Sequence, residues 1–123
     1  MKILITGANG QLGRELQRAV PESWSIVAAN SADCDITDHS AVSRLIEEVQ
    51  PDAVVNCAAY TAVDRAESER EKADAVNWLA VENLARVAKV ADVTLVHIST
   101  DYVFDGTSCT PYRESDATAP INH

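Results

Sequence analysis

Gly7-Ala8-Asn9-Gly10-Gln11-Leu12-Gly13 gathers three of the four glycines of this 123-residue sequence into one short window. The window lies directly after the apolar run Lys2 to Thr6 and before an amphipathic stretch. That placement suits phosphate binding. An early glycine permits a tight turn, a middle one admits a pyrophosphate to the backbone, and the last lets a helix pack closely on a strand. Unpaired N–H groups at the helix start then face the phosphates, where the helix dipole favours negative charge. The Gly-Lys-Ser/Thr ending of an ATPase loop is missing. Beyond the window, Asn30 closes the second apolar run, where an acid usually binds an adenosine ribose and an Arg admits a 2′-phosphate. Asn30 is uncharged, so NADH and NADPH both stay open. Asp35 and Ile36 offer a carboxylate and an apolar side chain to adenine, although Asp35 also suits a loop that only starts the next helix. Ser99 and Thr100 follow the fourth apolar run. A hydroxyl fixed there stabilises the negative charge that hydride transfer builds on a carbonyl oxygen, although a plain turn would use the same residues.

These groups need a frame. Lys2 to Thr6 (KILIT) reads as a strand buried on both faces, and Trp24 to Ala29, Ala53 to Cys57 and Val93 to Ile98 read as three further strands. Between the first two, Leu12, Leu16, Ala19 and Val20 recur at helical spacing, stopping near Pro21. Asp38 caps a helix with Ala41, Val42, Leu45, Ile46 and Val49 on its apolar face, ending before Pro51. Ser68-Glu69-Arg70-Glu71 reads as a capping box opening a long helix whose inner stripe is Val76, Ala80, Leu84 and Ala88, with Trp78 off the stripe. From Ser99 onward the sequence reads as loop. Strands alternating with helices predict an α/β fold, a Rossmann-like parallel sheet in the order 3-2-1-4 with helices on both faces. The whole of 1–123 is expected to be a single domain.

Composition narrows the partners. Ten Lys+Arg against nineteen Asp+Glu give a formal net charge of −9, which argues against a nucleic-acid backbone as partner. With 46% apolar and 24% charged residues the chain has an ordinary globular balance. Its apolar runs are too short to span a membrane, and MKILITGANG lacks the pattern of a signal peptide. The three cysteines have no CxxC spacing and form no metal-like cluster with His39, His97 and His123, so no metal is expected. The expected setting is reducing and cytoplasmic. Cys57 reads as a small buried residue, His97 as a satisfied core histidine, and Glu67, Glu69, Glu71 and Asp74 as a solvated helix face. Asn77 suits either a surface amide or a clamp on nearby backbone.

Five segments in order carry a resemblance: GANGQLGRELQ, DITD (Asp35 to Asp38), NCAAYTAVDRAE (Asn56 to Glu67), Val76-Asn77 and STDYVFDG (Ser99 to Gly106). Together they resemble the dTDP-4-dehydrorhamnose reductases, a branch of the extended short-chain dehydrogenase/reductase superfamily. The resemblance covers essentially the whole chain and implies reduction of the 4-keto group of dTDP-4-dehydro-6-deoxy-L-mannose to dTDP-L-rhamnose, with hydride from NADPH or NADH. It implies Gly10, Gln11 and Leu12 at the pyrophosphate, in the turn that Gly7 and Gly13 frame, Asp35 and Ile36 at adenine, and Ala59, Tyr60 and Thr61 along the cofactor; Asn30, at the ribose position, stands where the family more usually has an acid. It makes Thr100 the catalytic hydroxyl, with Asp101 and Tyr102 beside it at the sugar nucleotide. Tyr102 suits equally an aromatic plug under its loop.

Reductases of that superfamily protonate the nascent alkoxide with a Tyr assisted by a Lys four residues later. None of Tyr60, Tyr102 and Tyr112 has such a Lys. The resemblance therefore implies a truncated enzyme without its sugar-binding C-terminal region, inactive alone. The alternative is a non-catalytic nucleotide-binding subunit, like the reductase-like protein that regulates methionine adenosyltransferase. Either way the fourth strand would present a bare apolar edge, which predicts self-association, as a homo-oligomer, through Val93 to Ile98.

Overall fold

The computed structural model describes residues 1–122. Lys2–Thr6 forms β1, and every residue after Lys2 is buried. The reason is its central place. It pairs in parallel with β2 (Ser25–Ala29) on one side, Thr6 opposite Ala29, and with β3 (Ala53–Asn56) on the other, Thr6 opposite Asn56. Strand β4 (Thr94–His97) joins β3 with Asn56 opposite His97. The order is β2-β1-β3-β4.

The parallel Rossmann-like sheet is as expected, but the order 3-2-1-4 is not. The third strand crosses back over β1 instead of lying outside β2. Right-handed crossovers fix the face that each connecting helix occupies, not the edge at which the next strand arrives. Burial decides the edge. β1 is the most apolar strand and gains from two neighbours, whereas β2 carries an exposed Ser25 and half-buried Ile26 and Val27, as an edge strand can. Between β2 and the next helix the chain only turns, with Asp33 N–H and Cys34 N–H both donating to the Asn30 carbonyl.

Reversing direction after β2 puts the helices on opposite faces. Helix α1 (Gln11–Ala19) covers one face, where Ile3, Ile5 and Ala8 pack with Leu16. Of the expected stripe Leu16 makes the contact, with buried Gly13 beside it, while Leu12 and Ala19 are exposed. Helix α2 (His39–Val49) covers the other face with a later helix, α5 (Ala80–Ala91). Leu4, Val42, Ile46, Val54, Leu84 and Val87 form that larger core. Each such side chain contributes about 1.5–3 kcal/mol by leaving water. As expected, Asp38 caps α2, its Oδ1 accepting from Ser40 N–H at 2.8 Å and Ala41 N–H at 3.3 Å.

The long helix forms, with two departures. A short helix α3 (Val63–Ala66) precedes it, and the helix itself begins with α4 (Arg70–Asp74). The capping box does not close. Ser68 Oγ donates back to the Arg65 carbonyl, and Glu69, not Ser68, stands at the N-cap position. Between α4 and α5 the backbone widens into a π-helical turn over Ala75–Leu79, where Ala80 N–H reaches back to the Ala75 carbonyl. Val76, Ala80, Leu84 and Ala88 still face inward, and Trp78 is exposed as its off-stripe position implied. Among the described residues no helix is long and apolar enough to cross a membrane.

Candidate functional site

The glycine turn joins β1 to α1 at the carboxyl end of the sheet. Gly7 has φ +67°, and a Cβ there would fall 2.6 Å from Ala58 Cα, so only glycine lets the turn lie against the strand next door. Ala8 N–H donates to the Ala29 carbonyl and Gly10 N–H to the Gly7 carbonyl, which ties the turn to β2 and to itself. Gly13, inside the first turn of α1, lies where a Cβ would meet Gly7 O at 2.6 Å and Ala8 Cα at 2.8 Å. Gly10 holds the N-cap position, and no side chain caps the helix. The N–H groups of Gln11, Leu12 and Gly13 therefore have no partner within the helix. A helix start with no side-chain cap and unpaired N–H donors, opening on a glycine turn, fits a pyrophosphate.

An open groove of about 340 Å³ runs from this turn across the strand ends. Gly7, Gly10, Asn30, Asp35, Ile36 and Ala59, all expected at a cofactor, line it together with Asn9, Ser31, Cys34, Cys57, Ala58 and Val76, which were not. Gln11, Leu12, Gly13, Tyr60 and Thr61 lie outside its lining. Asn30 Oδ1 accepts from Ala32 N–H at 2.8 Å, while the Asp33 carboxylate accepts from Asn30 N–H. Asp35 is held by Thr37, whose hydroxyl and N–H both donate to its Oδ1 at 2.7 and 2.9 Å. These bonds, the hydroxyl's first, hold the Asp35 carboxyl below the ordinary aspartate range. Burial pushes the Cys34 thiol up, with Asp35 and Asp38 adding to it, and burial does the same for Cys57. Both thiols lining the groove are thus poor nucleophiles.

The loop after β3 is anchored from below and from the side. Buried Asn56 accepts from the Thr6 hydroxyl at 2.7 Å and from Ala58 N–H at 3.1 Å, and its amide nitrogen lies 3.0 Å from His97 Nδ1. His97 is thus an exposed strand-end residue and not the core histidine expected. Asn77, on the π turn, meets Tyr60 twice. Its Oδ1 accepts from Tyr60 N–H at 2.8 Å and its Nδ2 donates to the Tyr60 carbonyl at 3.0 Å, so it is a backbone clamp. The Tyr60 hydroxyl donates to Glu69 at 3.0 Å, and Glu69 also accepts from Arg65. Glu69 is a hub and not part of a solvated face. Desolvation and then the Glu69 bond raise the Tyr60 hydroxyl above its ordinary value, while Arg65 and Tyr60 hold Glu69 down. The signal missed for Asn56 was present: an amide closing the run AVVN must find partners when buried.

Thr100, Asp101 and Tyr102 come together past β4 without joining the groove lining. Thr100 is the N-cap of a single 3-10 turn, Asp101–Val103, with its Oγ1 accepting from Tyr102 N–H at 3.2 Å. Tyr102 is exposed and plugs nothing. The aromatic role in that loop belongs to Tyr112, stacked on Phe104 at 4.2 Å between centroids and donating to Asp105 at 2.8 Å. His123 lies outside the described residues.

Sheet, helices on two faces and a glycine turn at the carboxyl ends define a Rossmann-like α/β protein. The chain belongs to the family described as the RmlD substrate binding domain, which matches residues 1–123. It is 48% identical to dTDP-4-dehydrorhamnose reductase of Burkholderia thailandensis over 99% of the chain and 41% of that protein. With the Escherichia coli enzyme of the same name the identity is 44%, over 99% of the chain and 42% of the enzyme. The crystal structure of dTDP-4-dehydrorhamnose reductase from Bacillus anthracis in complex with NADP superposes with a TM-score of 0.96 at 42% identity, covering 98% of this chain and 43% of that one. UDP-glucose 4-epimerase of Thermus thermophilus, at 20% identity and a TM-score of 0.87, shares the fold. The chain spans about two fifths of the length of these reductases.

Proposed function

We propose that this chain is the cofactor-binding part of a dTDP-4-dehydrorhamnose reductase, which reduces the 4-keto group of a dTDP-keto sugar with NADPH or NADH. One observation carries the reading: six residues expected at a cofactor, Gly7 and Gly10 of the glycine turn with Asn30, Asp35, Ile36 and Ala59, line one groove. The 48% identity to a reductase of that name supports it over nearly the full chain.

The bound nicotinamide would supply hydride. The chain's own residues bind and orient. The free N–H groups opening α1 take the pyrophosphate, and Gly7 and Gly13 set their position by letting the turn lie against Ala58 and the helix lie against the turn. Asn30, with its Oδ1 engaged by Ala32 and its Nδ2 left to donate, meets a ribose hydroxyl or a 2′-phosphate without charge repulsion. Asp35 and Ile36 flank adenine. Ala59 to Thr61, clamped by Asn77, form the wall toward the nicotinamide. The Thr100 hydroxyl, at the carboxyl edge of the sheet, donates to the carbonyl oxygen as charge builds there, and Asp101 and Tyr102 stand beside it toward the sugar. No tyrosine with a lysine four residues on is present in 1–123 to protonate the alkoxide, so the chain by itself turns over little.

Calorimetric titration with NADPH and NADH tests the binding reading, and the absence of heat with both would refute it. Turnover of the dTDP-keto sugar by the 123-residue chain near the rate of ordinary enzymes, on the order of 10 per second, would refute the division of labour. A substrate and a cofactor of the cytoplasm support a cytoplasmic setting. The same reading extends to assembly. Among the described residues β4 bonds to β3 alone and leaves Val96 and Ile98 exposed, which supports self-association through that edge. A monomer by light scattering at tens of micromolar would speak against it.

A further inference from the structure

We propose that His97 is a positioning residue for the dinucleotide groove, acting through Asn56 on the backbone of Ala58. Donor and acceptor types fix how Asn56 is turned. Ala58 N–H can only donate, so the Asn56 atom it meets at 3.1 Å must be the carbonyl oxygen. The Thr6 hydroxyl donates to the same oxygen at 2.7 Å. The amide nitrogen is thereby turned toward β4, where it must donate, and the atom it meets at 3.0 Å is His97 Nδ1. Nδ1 is consequently the unprotonated nitrogen, and the imidazole carries its proton on Nε2.

What this fixes is the groove. A Cβ on Gly7 would fall 2.6 Å from Ala58 Cα, so the Ala58 backbone is the surface against which the glycine turn rests. Ala58 also lines the groove itself. Buried Asn56 has no other partner for its amide nitrogen among the described residues. Without the His97 acceptor the amide is left unsatisfied or rotates, and rotation would set Asn56 N–H against Ala58 N–H. Asn56 lies opposite His97 in the sheet register, so strand pairing holds the two side chains together.

The proposal rests on the reading of the groove as a dinucleotide site, and the test separates the two. Three variants are compared with the parent chain: His97→Asn, whose Oδ1 stands where Nδ1 stood, His97→Gln, whose acceptor stands in place of Nε2, and His97→Ala. The expected result is NADPH affinity within about twofold of the parent for His97→Asn, and weakened by about fivefold for the other two. Hydrogen exchange of the Ala58 amide should rise in the same order, and 15N-edited spectra at alkaline pH should show Nε2 protonated and Nδ1 bare in the parent. Equal behaviour of the Asn and Gln variants, or a proton on Nδ1, would overturn the proposal. Should the parent chain bind no nucleotide, the groove reading fails, and exchange at Ala58 and the tautomer still decide the role of His97.

Discussion

Replacing Gly13 by alanine sets two effects of opposite sign against each other. Within a helix, alanine is favoured over glycine by about 1 kcal/mol because it loses less backbone entropy on ordering. Gly13 is in the first turn of α1 and is fully helical, so that gain is available. The new Cβ, however, would meet Gly7 O at 2.6 Å and Ala8 Cα at 2.8 Å. Both are backbone atoms of the glycine turn. Neither can rotate away, and Ala8 is further tied by its N–H to the Ala29 carbonyl. Relief requires α1 to lift from β1, which opens the packing of Leu16 on Ile3 and Ile5. Overpacking against a fixed wall costs about 1–3 kcal/mol, and the loss of apolar contact adds to it, so the net is a destabilisation of about 1–2 kcal/mol. Gly10→Ala is the control. Its Cβ meets only Gly7 O, at 3.2 Å, and its φ of −70° suits any residue. Urea unfolding followed by circular dichroism reads both. Gly13→Ala should lower the midpoint clearly while leaving the slope unchanged, and Gly10→Ala should lower it by less than half as much. Gly13→Ala as stable as the parent, or more so, would refute the argument from close approach.

Other outcomes follow from the same geometry. Asn77→Leu removes both hydrogen bonds to Tyr60 and should cost about 1–2 kcal/mol, with faster exchange at the Tyr60 amide, whereas Asn77→Ala in place of Leu should behave alike because the loss lies in the polar clamp and not in bulk. Asp38→Ala leaves two N–H groups of α2 without their cap and should lower stability by about 1 kcal/mol, while Asp38→Asn or Asp38→Ser should recover most of it. The Asp35 carboxyl is held below its ordinary value of 3.8 by Thr37. Its contribution to stability is therefore complete above the unfolded value and is lost as the pH falls through the lower folded one. Thr37→Val should move the Asp35 titration, read from the carboxyl carbon by NMR, back up toward 3.8.

Sequence told much of the frame and less of the site's supports, for physical reasons. β1 and its glycine turn were legible because a strand buried on both faces must be apolar throughout, and the turn it leads into must spare its Cβ atoms. Asp38 was legible because a cap acts on its own next few residues. The sheet order was not, because both edges of β1 satisfy right-handed crossovers and the choice rests on how much each strand buries. The π turn at Ala75–Leu79 has no spacing of its own. It is visible only through what it does, which is to aim Asn77 at Tyr60 across a gap in sequence. Ser68 failed as a cap because the Arg65 carbonyl, at the end of α3, competes for its hydroxyl. The groove residues that escaped notice, Ser31, Cys34, Cys57 and Ala58 among them, are small and chemically quiet. They shape the wall without advertising a role.

The central position of β1 also sets a timetable. Its residues are made first, yet its two partners arrive one after the other, β2 ending at Ala29 and β3 at Asn56. A ribosome adding about 10 residues each second leaves roughly 5 s between the emergence of Thr6 and that of its partner Asn56. Through that interval one side of the most apolar strand is bare while β2 holds the other. Nascent chains of this topology should therefore be most vulnerable to chaperone capture before β3 emerges, and slower synthesis across the α2 codons should lengthen that exposure.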